Sequence, residues 1–196
     1  MFQTAVPAPC RRASTSDPRT RFARVFAGAG AHILTDAGGA LLVFPAQHAT
    51  ARQIGLAVRF SSGLLHACMP STRLDELRIP DQPVLATERS TLPLTVTVDA
   101  VGVTTGISGA DRALTMRTLG SASSTDADLA RPGHISPIRC KGAACGEVDT
   151  VWDAALSLVV RDGFYPAAVA CRLMHDDGEI FDDDDARASP TRLDYL

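Results

Sequence analysis

His134 is the residue of this chain best suited to proton transfer, and it follows directly after Pro132-Gly133. An imidazole titrates near neutral pH, so His134 is a candidate general acid or base, with a structural histidine in a turn as the alternative. Upstream, Asp111 and Arg112 could grip a phosphorylated or otherwise anionic small molecule. Thr105, in the run Thr104-Thr105-Gly106, is expected to fix a turn, with a contact to that molecule as its secondary role. Asp111 and Arg112 could instead form an ion pair at the start of a helix, where an acidic residue is stabilising.

Other side chains offer alternatives for a bound metal. Asp36 and Asp149 could supply carboxylates, but the alanine and glycine that follow Asp36 leave too few oxygen ligands for a hard cation. Cys140 and Cys145 could bind zinc with His134, but a single cysteine pair at this loose spacing is a weak zinc pattern. We therefore predict that the chain holds no metal or other cofactor.

Composition excludes two classes of partner. The chain has 196 residues, a formal charge of −3 and a pI near 5.9, so it lacks the basic footprint that nucleic acid binding needs. It contains no run of about 18 apolar residues, so no membrane span is expected. Its 5 cysteines are odd in number and scattered, which favours reduced thiols in the cytoplasm over a secreted disulfide framework.

The length fits one domain with an extension at each end. Residues 1–20 hold several prolines and no apolar signal segment, so we predict a flexible extension, with an organelle transit peptide as the alternative. Residues 21–181 are the predicted domain. Residues 182–196 open with consecutive aspartates and are predicted to be a solvated acidic tail.

Hydrophobic periodicity predicts alternating strands and helices. Short apolar runs on either side of Gly38-Gly39 predict a β-hairpin over residues 31–44, and Leu94–Ala100 alternates apolar residues with threonine as a strand does. Thr50 and Ser108 are predicted helix N-caps. The other predicted elements are strands over 63–69 and 169–174 and helices over 50–60, 72–77, 109–119 and 151–160. Strands and helices mixed in one unit indicate an α/β or α+β domain.

Two sequence blocks carry a family resemblance. Residues 94–119 read LTVTVDAVGVTTGISGADRALTMRTL, and residues 131–140 read RPGHISPIRC. The first is similar to a T-T-G-I-S and D-R pattern, and the second to an R-P-G-H-V-F-P-L block. FPAQHAT at 44–50 and the segment Pro166–Cys171 support them in the same order and close to the same spacing. The chain resembles the 3,4-dihydroxy-2-butanone 4-phosphate synthase family of riboflavin biosynthesis.

This resemblance implies a compact three-layer α/β sandwich with a mixed sheet, assembled as a homodimer with the active site near the subunit interface. It implies a lyase reaction that converts ribulose 5-phosphate to dihydroxybutanone phosphate and formate, with magnesium as the metal. His134 matches a catalytically important histidine of the family. Thr150 matches a threonine that contacts phosphate, and Asp149 stands beside it as a further predicted substrate contact.

The chain departs from the family pattern at three segments. An acidic loop with several carboxylates is replaced by Thr35–Leu41, in which Asp36 is the only carboxylate. The G-H-T-E motif falls on Val148–Val151, so Asp149 stands where the metal-binding histidine is expected, and Gly146 where an arginine is expected just upstream. A C-E pair becomes Cys171-Arg172, which reverses the charge.

These losses predict a divergent paralogue with a degenerate active site and without the ancestral magnesium-dependent reaction, because such groups act as a unit. It would bind or convert another small anionic molecule. One alternative is an active synthase with a site rebuilt from Asp36, Glu147, Asp149 and His134. Another is a non-catalytic protein that pairs with an enzyme of the pathway.

Overall fold

The computed structural model describes residues 30–85, 87–88, 92–141 and 148–182. Within these residues, the strands form one six-stranded sheet in the order β1-β2-β6-β3-β5-β4. β3 and β5 are parallel, and the other neighbouring pairs are antiparallel, so the sheet is mixed as expected. The strands are β1 His32–Asp36, β2 Gly39–Pro45, β3 His66–Pro70, β4 Val98–Ala100, β5 Leu129–Cys140 and β6 Ala168–Arg172.

Helices cover both faces of the sheet. They are α1 Ala51–Arg59, α2 Ser71–Glu76, α3 Gly109–Leu119 and α4 Val151–Arg161, with short 3-10 turns at Ala46–His48 and Asp126–Asp128. Alternate residues of β2 point to opposite sides: Leu42 packs in a cluster with α1 and α3, and Leu41 packs in a second cluster with Trp152 of α4. The predicted three-layer α/β sandwich is confirmed, and Trp152 belongs to its core.

Local signals place the helix starts. Thr50 and Gln53 form a capping box at α1, in which each side chain hydrogen-bonds the backbone amide of the other. Ser108 accepts a hydrogen bond from the Asp111 amide at the start of α3. Both predicted N-caps are confirmed, and the four predicted helices match to within a residue or two.

The strand prediction over 94–100 is wrong in extent. Only Val98–Ala100 forms strand β4, and Leu94 and Thr95 make isolated bridges instead. The Thr95 amide donates to the Pro137 carbonyl of β5 at 3.1 Å. Pro137 has no N–H to return that hydrogen bond, so a regular ladder cannot continue there. The strand predicted over 63–69 likewise begins later, at His66.

The ends of the chain lie largely outside the described residues. The proposed extension over 1–20 and all but Asp182 of the acidic tail over 182–196 fall there, so both stay predictions. Among the residues that are described, no helix is long and apolar enough to cross a membrane.

Candidate functional site

The sheet register brings the candidate residues to one edge. β1 ends at Asp36, β6 ends at Arg172 and β3 begins at His66. β6 is antiparallel to β3, and β5 is parallel to β3, so His134 in the first half of β5 lies at the same edge. Segments far apart in sequence therefore converge where the strands end.

His134 is held by Asp99 of β4. Its ring nitrogen Nδ1 lies 2.7 Å from Asp99 Oδ2, and its backbone amide donates to Asp99 Oδ1 at 3.0 Å. The side chain of Asp99 is 10% exposed and that of His134 is 41% exposed. The carboxylate is thus a buried anchor, and the imidazole reaches solvent.

Two glycines make this pair possible. Gly106 adopts a φ of +77°, and a Cβ at this position would overlap Asp99 Oδ2 and His134 Nδ1. A Cβ at Gly133 would overlap the Val98 backbone of β4. The T-T-G-I-S and R-P-G-H blocks therefore meet in space, and each supplies a glycine that lets the histidine approach the aspartate.

Asp111 and Arg112 have separate partners, so the ion pair expected between them is not formed. Asp111 accepts hydrogen bonds from the Thr104 hydroxyl at 2.8 Å and the Thr104 amide at 3.1 Å. These hydrogen bonds, led by the one from the hydroxyl, hold the pKa of Asp111 below its usual value. Arg112 Nη1 donates to the Gly63 carbonyl at 2.9 Å, and its buried Nε has no hydrogen-bond partner among the described residues.

The other predicted contacts divide between solvent and local structure. Thr105 is exposed beside Gly106. Thr150 is the N-cap of α4 and forms a capping box with Asp153, with distances of 3.2 Å and 3.1 Å for the two amide hydrogen bonds. Asp149 forms an ion pair with Lys141. Sequence reasoning missed the capping role of Thr150, although the T-x-x-D spacing before an apolar run signals it.

A second cluster surrounds Arg172. Its Nη1 lies 2.7 Å from Asp36 Oδ1 and its Nη2 donates to Asp36 Oδ2 at 2.9 Å, which is a two-pronged guanidinium–carboxylate pair. Nη1 also donates to the Gly39 carbonyl, and the guanidinium lies 5.4 Å from the centre of the Trp152 ring. The Trp152 ring packs edge-on against buried His66.

Arg172 sets the electrostatics of this cluster. Burial raises the pKa of Asp36, but the hydrogen bond from Arg172, the Gly38 amide and the charge of Arg172 together bring it below its usual value. Burial lowers the pKa of His66, and the charge of Arg172 lowers it further against the hydrogen bond to the Ser136 carbonyl. Asp36 is therefore a committed ion-pair partner.

A cleft of about 430 Å³ lies between β1 and α4. It is lined by Leu34, Thr35, Asp36, Val148, Asp149, Thr150, Val151, Ala154, Ser157, Leu158 and Arg161. Asp36 and Asp149, the two candidate metal carboxylates, thus line one cleft. Within the ranges that the structure covers, no group of three or more His, Cys, Asp or Glu side chains could hold a metal ion.

Cys140, one of the suggested zinc ligands, is buried in the core beside Trp152. Cys145, Gly146 and Glu147 lie outside the described residues. The zinc alternative and the part of the rebuilt synthase site that needs Glu147 therefore stay predictions.

The protein is therefore of the α/β class. Its candidate site lies at the edge of the sheet where the strands end, and the T-T-G-I-S and R-P-G-H blocks meet there. The sequence profile of 3,4-dihydroxy-2-butanone 4-phosphate synthase matches residues 33–195. The chain belongs to this family, which acts in riboflavin biosynthesis.

Two relatives place the match along the chain. The riboflavin biosynthesis protein RibBA of Endomicrobium trichonymphae is 38% identical over 138 residues, which cover 70% of this chain and 34% of that protein. The 3,4-dihydroxy-2-butanone 4-phosphate synthase of Citrobacter koseri is 37% identical over 138 residues, covering 70% of this chain and 64% of the synthase. The chain thus spans less than two thirds of either relative.

Solved structures share the fold. That of the Candida albicans 3,4-dihydroxy-2-butanone 4-phosphate synthase has a TM-score of 0.72 and 31% identity, and the match covers 86% of each chain. A structure of a 3,4-dihydroxy-2-butanone 4-phosphate synthase in complex with two magnesium ions also has a TM-score of 0.72, with 25% identity and 86% of each chain covered.

Proposed function

We propose that this chain is a divergent member of its family that binds a small anionic molecule, such as a sugar phosphate, beside His134. In this proposal the chain does not carry out the magnesium-dependent release of formate from ribulose 5-phosphate. The observation that carries the proposal is the two-pronged pair between Arg172 and Asp36. In the family pattern, carboxylates stand at both positions. Here Arg172 replaces one of these carboxylates, and its positive charge neutralises Asp36.

Magnesium does not fit the residues that the structure describes. Mg²⁺ is bound through oxygen ligands in near-octahedral geometry and favours free carboxylates. Asp36 is held by Arg172, and Asp149 is held by Lys141. A cation at either carboxylate would have to displace a basic side chain that then stays nearby. We therefore assign no step of any reaction to a metal here.

The His134 side of the edge keeps the groups that suit an anion. The His134 side chain is 41% exposed, and Thr105, the residue before Gly106, is exposed as well. Arg112 uses Nη1 for the Gly63 carbonyl, while its buried Nε lacks a partner among the described residues. A phosphate or carboxylate oxygen that reached this atom would supply the missing acceptor, because buried polar groups are almost always hydrogen-bonded.

The proposal includes a cytoplasmic homodimer. Leu64, Val101 and Ile107 are large apolar residues, each more than half exposed, and they flank Gly63, the end of β4 and Gly106. A second copy that covered them would remove apolar surface from water. Sedimentation of the purified chain tests this part of the proposal, and a monomer at all concentrations would reject it.

The decisive experiment measures formate release from ribulose 5-phosphate with magnesium, with the Citrobacter koseri synthase assayed alongside as an active control. We expect no release above the rate without enzyme. Calorimetric titration with ribulose 5-phosphate in a metal chelator should give binding that Arg112→Gln weakens. Robust magnesium-dependent formate release would overturn the proposal, and absence of binding would reject its anion-binding part.

One observation favours a second candidate, an active synthase with a rebuilt site: Asp36 and Asp149 line the same cleft. A metal that binds only the folded protein raises its melting temperature. If this candidate is correct, magnesium should stabilise the chain and Asp149→Asn should abolish the effect. The matched control is Asp128→Asn, which removes a carboxylate in the 3-10 turn directly before β5, outside the residues that line the cleft.

A further inference from the structure

We propose that Asp99 is a positioning residue that holds His134 as the Nδ1–H tautomer, so that Nε2 is the ring atom that takes up a proton from a bound molecule. The use of Nε2 rests on the proposed role of the His134 edge. The tautomer itself follows from contacts inside the chain.

Two donors of His134 converge on one carboxylate. Its backbone amide donates to Asp99 Oδ1, and Nδ1 faces Asp99 Oδ2 at 2.7 Å. An ionised carboxylate can only accept hydrogen bonds, so Nδ1 must carry a proton. In the neutral imidazole the lone pair then lies on Nε2, which makes no hydrogen bond within the described part of the chain.

The surroundings prevent the carboxylate from leaving this position. Asp99 is buried, and the chain passes over the pair at Gly106, where no Cβ fits. On the other side, Gly133 brings β5 against the Val98 backbone, and its amide donates to Thr97 Oγ1 at 3.2 Å. A carboxylate that is locked in place and bonds both the backbone and the ring of one histidine orients that ring.

This geometry predicts an unusual consequence for Asp99→Asn. The backbone amide of His134 keeps the amide oxygen of the new side chain at the Oδ1 position. The NH₂ group must then face Nδ1, which can only accept from it, so the ring proton moves to Nε2. A substitution that keeps the volume of the side chain therefore inverts the tautomer.

The test uses the full chain labelled with ¹⁵N at histidine. Long-range ¹H–¹⁵N spectra are recorded while the pH is raised until the shifts stop changing, and His134→Gln assigns the signals. We expect Nδ1 to show the ¹⁵N chemical shift of a protonated ring nitrogen and Nε2 that of an unprotonated one. In Asp99→Asn we expect the reverse assignment. Asp128→Asn, which removes the capping carboxylate before β5, should leave them unchanged.

Two results would overturn the inference: an Nε2–H tautomer in the unmodified chain, or an unchanged tautomer in a folded Asp99→Asn variant. If that variant does not fold, the tautomer of the unmodified chain decides alone. No ligand enters the experiment, so a failure of the anion-binding proposal leaves the tautomer result standing, and the two can be told apart.

Discussion

The pair between Asp36 and Arg172 can be tested by a double-mutant cycle. Asp36→Asn and Arg172→Gln are made singly and together, and the free energy of unfolding is measured for each variant. The cycle isolates the interaction between the two side chains from their separate contacts, such as that of Arg172 with the Gly39 carbonyl. It also asks whether Asp36 is committed to an ion pair or available to a metal.

The structure sets the expected size of this coupling. Arg172 and Asp36 share two contacts, at 2.7 Å and 2.9 Å, and their side chains are 21% and 37% exposed. Exposed ion pairs contribute about 0.2 to 1 kcal/mol, and well-aligned two-pronged pairs contribute more, so we expect about 1 to 2 kcal/mol. Lys141 and Asp149 are both more than half exposed, so the same cycle there should give about 0.5 kcal/mol or less.

The assay is unfolding in urea, followed by far-ultraviolet circular dichroism at low salt and again at high salt. The coupling between Asp36 and Arg172 should survive high salt better than that between Lys141 and Asp149, because partly buried charges are screened less. A coupling no larger than that of the Lys141 control would refute the reasoning. It would mean that Arg172 does not neutralise Asp36 in solution, and the argument against a metal at Asp36 would fail.

Two further predictions concern the His134 half of the site. Gly106→Ala should destabilise the fold by about 2 kcal/mol or more, because the new Cβ overlaps Asp99 and His134 in addition to the strain of a positive φ. The control Gly102→Ala, at a φ of +91° with open space around it, should cost about 1 kcal/mol. Equal losses of stability for the two variants in urea unfolding would contradict the overlap. The pKa of Asp111 is below its ordinary 3.8 in the folded chain, so its carboxylate stabilises the fold fully above that value and loses this contribution as the pH falls through the folded-state pKa. Asp111→Asn should therefore flatten the loss of stability below about pH 4, and an unchanged acid profile would count against that role.

The elements that sequence predicted well are those with local signals. The hairpin follows from two apolar runs around Gly38-Gly39, and the helix starts follow from Thr50 and Ser108, whose partners lie three residues away. β5 received no predicted element, because Pro132, Gly133 and Pro137 break the alternation of a strand. It forms through pairing with β3 and β4, which no local window contains.

The site divides in the same way. His134 and its motif are recognisable in the sequence, but its partner Asp99 lies 35 residues away, and no local spacing links the two. The change to arginine at position 172 was visible as a loss of negative charge. Its compensation was not, because Asp36 is 136 residues distant and meets Arg172 only across β1, β2 and β6.

The Asp36 half and the His134 half of this sheet edge would place a bound ion in different electrostatic surroundings. A magnesium ion at Asp36 would lie close to the Arg172 guanidinium, and the repulsion between the two cations would offset much of the attraction of the carboxylate. Arg172 cannot easily move away, because the Gly39 carbonyl and the Trp152 ring also hold it. At His134, the buried Asp99 carboxylate is already hydrogen-bonded to the ring and to the backbone amide of the histidine. An anion at the His134 half would not have to displace a basic side chain from a carboxylate, whereas a metal at Asp36 would, because Arg172 is already paired there.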